Sequence, residues 1–592
     1  MRSRVLVGVL SLVTVATLAL GQVPAAASHG GDTEVTVGSD DSVFSHNKQN
    51  EPAVALDPAH PNVVVAGAND NIDQEACNAG DDTTCPFTDG VGGSGIYFSF
   101  NGGDTWTQPT YTGYSARGCL GVVGSSDPAC TPNPSGPIGT LPKYFENGLV
   151  ADGDPAVAFG PKPASNGAFS WSNGSRLYYA TLTSAHPTQP SNLKGFEGIA
   201  VSRTDDVATA ATGGVAGKAA WMDPVIASKQ ASATFSDKEQ IWADNAASSP
   251  HFGNVYVCFA KFTGFGAAPM VVATSTDGGS TWTNKHVSPG HNVAPSHWGQ
   301  SGCTIRTDSA GVVYVFYEEF QNPAFFFPPV GTHLLVRSLD GGVSWTKPMP
   351  VGRVTDPCYA LQFDGGGRRC VQDGVAGARN DLAASPSVSI ANGAPTGAGA
   401  TNFMVLTWAG FDANGVEHVY VRWSADRGVT WSIPVPVEDV GDRGYYSAPA
   451  LSPDGKDLYL VYNAFTTPFR SNTTDPRGLV GVVKHADVVA GALANWATLH
   501  RGAVGDPRGS SQNNIVIEFL GDYVYAAATN DYGVAVWNDA RFASDCPAVD
   551  SWRATVQTTL SLAGRPAIQV VCPATFGNSD IFGGSYADPS SP

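Results

Sequence analysis

Carboxylates, arginines and tyrosines recur at one kind of place in this chain, just ahead of short runs of small and apolar residues. Glu51 precedes Pro-Ala-Val-Ala, and Asp154, with Asp152 two residues before it, precedes the same four residues. Asp237 and Glu239 precede Gln-Ile-Trp-Ala, and Asp522 stands with Tyr523 ahead of Val-Tyr-Ala. Related positions carry Gln300 and Ser301, then Arg379, Asn380 and Asp381, then Arg443, Tyr445 and Tyr446. If these runs converge on one axis, one half of its mouth is acidic and the other cationic and aromatic. Crowded carboxylates raise one another's proton affinity, so one acid stays protonated near neutral pH beside an ionised neighbour. Such a pair can protonate a leaving oxygen and stabilise the cationic transition state of glycoside hydrolysis. Arg379 and Arg443 could grip a substrate carboxylate through paired hydrogen bonds. The expected catalytic set is Asp154, Glu239, Arg379, Arg443, Tyr446 and Tyr523, with Glu51, Asp522, Asn380 and Asp381 binding substrate.

Two other chemistries compete for the same residues. Asp152-Gly-Asp154, or the group Asp70, Asp73, Glu75, Asp81 and Asp82, could hold calcium through oxygen ligands, although no spacing matches a calcium-binding helical loop. Solvated acidic loops are the plainer reading of the second group, and no cofactor is required. Alternatively the carboxylates cap strands and turns, as acidic residues before proline commonly do, in a non-catalytic binding protein. No G-x-S-x-G elbow, H-E-x-x-H motif or phosphate-binding loop occurs. His286, His291 and His297 read as loop residues, and Asp539 is expected to pair with nearby Arg541.

The elements that must position these groups are strands. Ser99–Trp106, Ser275–Trp282, Ser338–Trp345 and Ser424–Trp431 share the template S-x-D-x-G-x-x-W, with Asn101 in place of the acid in the first copy. Each follows an alternating run, such as Val271-Val-Ala-Thr-Ser275. An Asp accepting backbone N–H groups, a Gly with positive φ and a Trp folding back describe a tight hairpin. Upstream, small-residue runs are paired with longer apolar ones: 51–55 with 63–66, 154–158 with 177–180, 239–243 with 255–258, and 302–306 with 312–315. The pairing continues as 385–389 with 403–406, 448–452 with 458–461, and 522–526 with 534–537. Small residues suit a crowded axis and longer ones a second strand. Seven pairs predict an all-β propeller of seven blades.

The S-x-D-x-G-x-x-W element resembles the Asp-box, or BNR repeat, of sialidases and related secreted propeller proteins. The resemblance implies that the box sits on the outer hairpin of a blade, far from any active site, so Asp277, Asp340 and Asp426 are structural. The six-bladed sialidase fold is the alternative architecture. Sialidases use an arginine triad, an Asp acid/base and a Tyr–Glu nucleophile. By resemblance, Tyr523 or Tyr446 would be the nucleophile, Glu239, Glu318 or Glu518 its partner, and Asp154 or Asp70 the acid. This chain departs from the family's Arg-Ile-Pro motif, having Asn50-Glu51-Pro52 there, and leaves Arg306 or Arg541 to complete a triad. The leading expectation is a sialidase-like exo-glycosidase acting on glycans in the central funnel. A glycan- or protein-binding propeller and a polysaccharide lyase are the alternatives.

Compartment and partners follow from bulk properties. Arg2 and Arg4, an uncharged run from Val5 to Leu20, and Ala25-Ala26-Ala27 form a secretory signal, predicted over residues 1–27. Residues 28–45 read as a flexible lead and 46–592 as one propeller domain, with a Cys-rich insertion over about 76–144. The ten cysteines fall as neighbours: Cys77 with Cys85, Cys119 with Cys130, Cys258 with Cys303, Cys358 with Cys370, and Cys546 with Cys572. That spacing fits disulfides of an exported protein and lacks the tight clusters of zinc sites. A formal charge of −19 argues against nucleic acid, and nothing after the signal is apolar enough to insert in a membrane. A secreted monomer with a glycan partner is expected.

Overall fold

In the chain's computed structural model the described residues are 30–76, 88–119, 130–228, 231–263, 268–289, 298–321, 327–510 and 514–589. The predicted signal, Cys77, Cys85, Asp81, Asp82, His291 and His297 lie outside them. Seven antiparallel meanders are arranged around an axis. Their first strands are Gln49–Leu56, Leu149–Pro161, Thr234–Ala243, Trp298–Thr307, Ser387–Ile390, Arg443–Leu451 and Tyr525–Ala528. Each first strand touches the next, and the seventh touches the first, so the ring is closed. Seven blades, rather than six, are therefore present.

Blade faces are apolar on both sides because each is sandwiched between two neighbours. Tyr178, Val257 and Phe259 fill the seam between blades 2 and 3, while Val461, Trp537 and Phe582 fill that between blades 6 and 7. Comparable buried clusters occupy the other five seams. The predicted hairpins sit at the rim of blades 1, 3, 4 and 5. In the third, Ser338 Oγ donates to Asp340 Oδ1 at 2.8 Å and accepts from the Gly342 N–H at 2.8 Å. Asp340 Oδ1 also accepts from the Ser344 N–H at 2.8 Å. In the first copy Asn101 reproduces the turn by accepting from the Thr105 N–H and donating to its hydroxyl.

Ring closure is the feature that periodicity did not reveal. Thr33–Glu34, inside the segment read as a flexible lead, pairs with Asp580–Ala587 as the outermost strand of blade 7. Non-adjacent chain ends thus share one sheet, which spares the ring an unpaired seam.

Four disulfides join neighbouring cysteines as expected. Cys119 bonds Cys130 between the two strands of a small hairpin, Tyr111–Ser115 and Asn133–Ile138, in the predicted Cys-rich insertion. Cys358 bonds Cys370, which lies on the second strand of another two-stranded sheet, Ala360–Phe363 with Arg368–Val371. Both bridges close short local loops outside the blades. Cys258 bonds Cys303 and ties blade 3 to blade 4, whereas Cys546 bonds Cys572 and staples a helical insertion within blade 7. The helix of that insertion, Pro547–Thr559, buries Val549, Trp552 and Val556 against Ile515–Ile517. No helix among the described residues is long and apolar enough to cross a membrane.

Candidate functional site

One backbone device, repeated blade by blade, aims the charged side chains at the axis. Near the start of the first strand in blades 1 to 4 a bulge breaks the ladder, between Asn50/Ala53, Gly153/Ala156, Asp237/Gln240 and Ser301/Thr304. Within each bulge one residue adopts positive φ: Glu51 (56°), Asp154 (50°), Lys238 (58°) and Gly302 (62°). Glycine takes this conformation freely, but for the other three it costs on the order of 1 kcal/mol apiece. Their side chains meet, and that contact is what the strain achieves.

Lys238 is the hub. Its ammonium lies 2.7 Å from Asp522 Oδ2, 2.9 Å from Asp154 Oδ2 and 3.7 Å from Glu51 Oε1. Asp522 also receives Arg379 Nη2 at 3.2 Å and the Tyr446 hydroxyl at 3.3 Å. Arg379 turns its Nε to Asp381 at 2.9 Å and stacks over Phe519. Asn69 bridges the blades, donating to Glu51 Oε2 at 2.6 Å while its carbonyl oxygen accepts the Asp154 N–H at 2.7 Å. The Asp522 side chain is fully buried, whereas those of Lys238 and Arg379 keep 11 % and 16 % exposure. Solvent therefore reaches the cationic face of the cluster.

Protonation is divided unequally among these acids. Burial pushes Asp522 up, but Lys238 and Arg379 outweigh it and hold the carboxyl well below the ordinary range. Asp154 is likewise lowered, its burial overcome by Lys238. Glu51 goes the other way: burial and the Asp154 charge raise it well above the usual carboxylate value. Glu239 is raised strongly too, by burial and then by Asp154, and neither of its oxygens has a hydrogen-bond partner. Burial keeps the Tyr446 and Tyr523 phenols neutral. A cavity of about 60 Å³ joins Lys238, Glu239, Asp522, Tyr446 and Tyr523 and has room for a few waters. A second cavity of about 310 Å³ lies at the far ends of the first strands, beside Trp242, Arg306 and Tyr525.

Of the residues expected from sequence, Glu51, Asp154, Asp522, Arg379, Asp381 and Tyr446 come together, with Glu239 and Tyr523 on the adjoining cavity. Arg443 does not join Arg379; it pairs with Glu417 at 3.0 Å, which also accepts from Tyr359. Asn380 is buried in loop packing, donating to the Pro357 carbonyl at 2.7 Å. Asp152 is exposed beside Ser184, and the Lys238 ammonium takes the place a cation would need beside Asp154. Glu518 pairs with buried Arg477, and Glu318 lies against Ser385 and Asp356. Asp70 accepts from Gln49, Tyr97 and Gln108. Arg541 pairs with Asp539 as expected, and Arg306 stacks on Trp242 beside the second cavity, so neither completes a triad with Arg379.

The sequence pattern sets Glu239 level with Glu51 and so passes over Lys238. The bulge residue stands five places before the last paired residue of the strand, Leu56, Ala243 or Thr307. Counting back from Gly302, where glycine marks the positive φ, selects Lys238.

Two further groups could hold a cation: Asp457, His485 and Asp588, and Glu34, Asp41 and Asp580. In the first, His485 Nε2 already meets Asp457 at 3.3 Å.

No family model and no curated protein matches the chain. Among solved structures it is similar to a Hadza microbial sialidase, at 13 % identity over 70 % of this chain and 63 % of that one, with a TM-score of 0.38. It is similar to the intramolecular trans-sialidase from Ruminococcus gnavus at 13 % identity over 73 % of this chain and 94 % of that one (TM-score 0.38). The α-L-arabinofuranosidase from Fusarium graminearum shares 11 % identity over 65 % of this chain and 88 % of that one (TM-score 0.37). Identity and superposition this low transfer neither residues nor chemistry.

Proposed function

We propose that the chain is an exported glycan hydrolase whose reaction takes place where the first strands of blades 7, 1, 2 and 3 converge, with the sugar on the partly exposed Lys238–Arg379 face and only its glycosidic oxygen reaching the water-sized cavity beside Glu239. The observation that carries this reading is the division of protons around one small cavity. Glu239 holds its proton without a hydrogen-bond partner, while Asp522, across the same cavity, is ionised and bonded to Tyr446. Two acids with opposed proton affinities are what glycoside cleavage needs. Glu239 gives its proton to the leaving oxygen as the anomeric C–O bond breaks, and the Asp522–Tyr446 pair supports the positive charge that develops on the sugar. Water then adds to the anomeric carbon and gives its proton to the Glu239 carboxylate, which restores the acid. Asp154, held ionised by Lys238, is unsuited to be the acid. The partly exposed cations Lys238 and Arg379 favour a sugar bearing a carboxylate, and a sialidase-like exo-glycosidase is the specific form proposed.

A panel of fluorogenic glycosides that includes an α-sialoside tests this. Turnover should fall by at least about 100-fold in Glu239→Gln, in line with loss of a general acid. Arg379→Ala should raise KM for acidic sugars selectively. No turnover across the panel by folded protein would reject hydrolysis. The charges of the cluster already neutralise one another through Lys238, and this supports a second reading, a non-catalytic glycan-binding propeller. Binding of a glycan without turnover would select it.

A further inference from the structure

At the seam where the ring closes, three carboxylates face one another with no basic partner. Glu34 comes from the N-terminal closing strand, Asp41 from the turn after it, and Asp580 from the start of the strand that Glu34 lies beside. One oxygen from each lies within 4.8 Å of the others. Among the described residues no lysine, arginine or histidine pairs with any of them, unlike the axial carboxylates held by Lys238. Asp580 is only 1 % exposed, and its Oδ1 has no hydrogen-bond partner. Its other oxygen accepts from Asn578 Nδ2 at 3.2 Å. Two more buried oxygens next to it in the chain, Asn578 Oδ1 and Ser579 Oγ, also lack partners.

We infer that Glu34, Asp41 and Asp580 form a calcium site that clasps the N-terminal strand to the last strand of blade 7. A hard cation with flexible coordination suits an all-oxygen donor set. Calcium takes about six to eight oxygens at roughly 2.3–2.6 Å, which leaves places for water on the exposed Asp41 side. Zinc prefers nitrogen or sulfur ligands, and magnesium holds several waters in strict octahedral geometry, so both fit this seam less well. The ion would neutralise three like charges and join segments more than 500 residues apart in the chain. This site is separate from the axial cluster, and its test does not depend on any activity.

The experiment is calorimetric titration of the chelator-stripped full-length mature protein with calcium chloride, alongside thermal melts with and without the ion. One calcium per chain should bind, with a dissociation constant of about 10⁻³ M or tighter, as in extracellular modules. The melting temperature should rise with calcium more than with equal magnesium. Asp41→Asn, on the exposed side of the group, should fold without the ion, melt no lower than the stripped parent, and lose calcium affinity by about tenfold or more. Glu34→Gln should do the same. Absence of both heat and thermal shift in the parent would overturn the assignment. So would unchanged affinity in both variants, because the ion would then be bound elsewhere.

Discussion

Replacing Lys238 by methionine keeps the length of the side chain and the strained backbone but removes the ammonium. The structure sets the scale of the effect. Two ionised carboxylates lie 2.7 and 2.9 Å from that nitrogen, and the side chains of Asp522 and Asp154 are 0 % and 9 % exposed. Removing one partner from a buried ion pair costs about 3–5 kcal/mol, because an uncompensated charge is left behind. Asp522 keeps Arg379 at 3.2 Å and Glu51 can share its proton, so the lower end, about 3 kcal/mol, is expected. The pH dependence is fixed by the direction of the shifts. Folded-state proton affinities of Asp154 and Asp522 are depressed. Their contribution is therefore fully present above the ordinary carboxylate value of about 4 and lost as pH falls through the lower folded values. In the variant both acids take up protons at higher pH than in the parent, so the deficit shrinks on acidification. Equilibrium urea unfolding followed by tryptophan fluorescence at about pH 7.5 and about pH 4.5 measures it. A deficit under about 1 kcal/mol near neutrality, the range of exposed pairs, would refute the buried-hub account, as would one that grows at low pH.

Other perturbations separate scaffold from site. The paired change Cys258→Ala/Cys303→Ala opens a loop with a sequence separation of 45 and should cost about 4 kcal/mol on the chain-entropy estimate, read by urea unfolding. Asp340→Ala removes the acceptor that holds the blade 4 hairpin. Hydrogen bonds to Ser344 and Ser338 keep this exposed carboxyl low, at about 2, so its contribution fades as pH falls below about 4 towards that value. After solvent screening the loss should be about 1 kcal/mol, with glycan binding or turnover unchanged.

Much of the ring was legible because its signals are local. Alternating apolar residues and the S-x-D-x-G-x-x-W turns lie within single blades, and nearest-neighbour cysteines such as Cys119 with Cys130 and Cys358 with Cys370 needed only spacing. What escaped notice was non-local or backbone-dependent. Thr33–Glu34 has no repeat signature, since its place as a closing strand depends on Asp580–Ala587 at the far end of the chain. Lys238 escaped because a bulge adds a residue, and a one-residue slip moves every side chain to the other face. Position along its strand sets Arg443 beside Arg379, but Glu417 on the neighbouring blade takes the guanidinium instead. Residue type showed that acids and cations gather at the axis. Only the fold shows that burial raises Glu239 and Glu51 while Lys238 lowers Asp154 and Asp522.

The pH–rate profile of Glu239→Gln beside the parent, on whichever glycoside the parent cleaves, tests the central claim most directly. With Glu239 as the proton donor, the parent should keep its rate through neutral pH and lose it as Glu239 ionises above its raised value. The folded variant should lose both the rate and that alkaline limb. A variant that retains the parent's rate and profile, or a parent that cleaves no glycoside, would contradict the account.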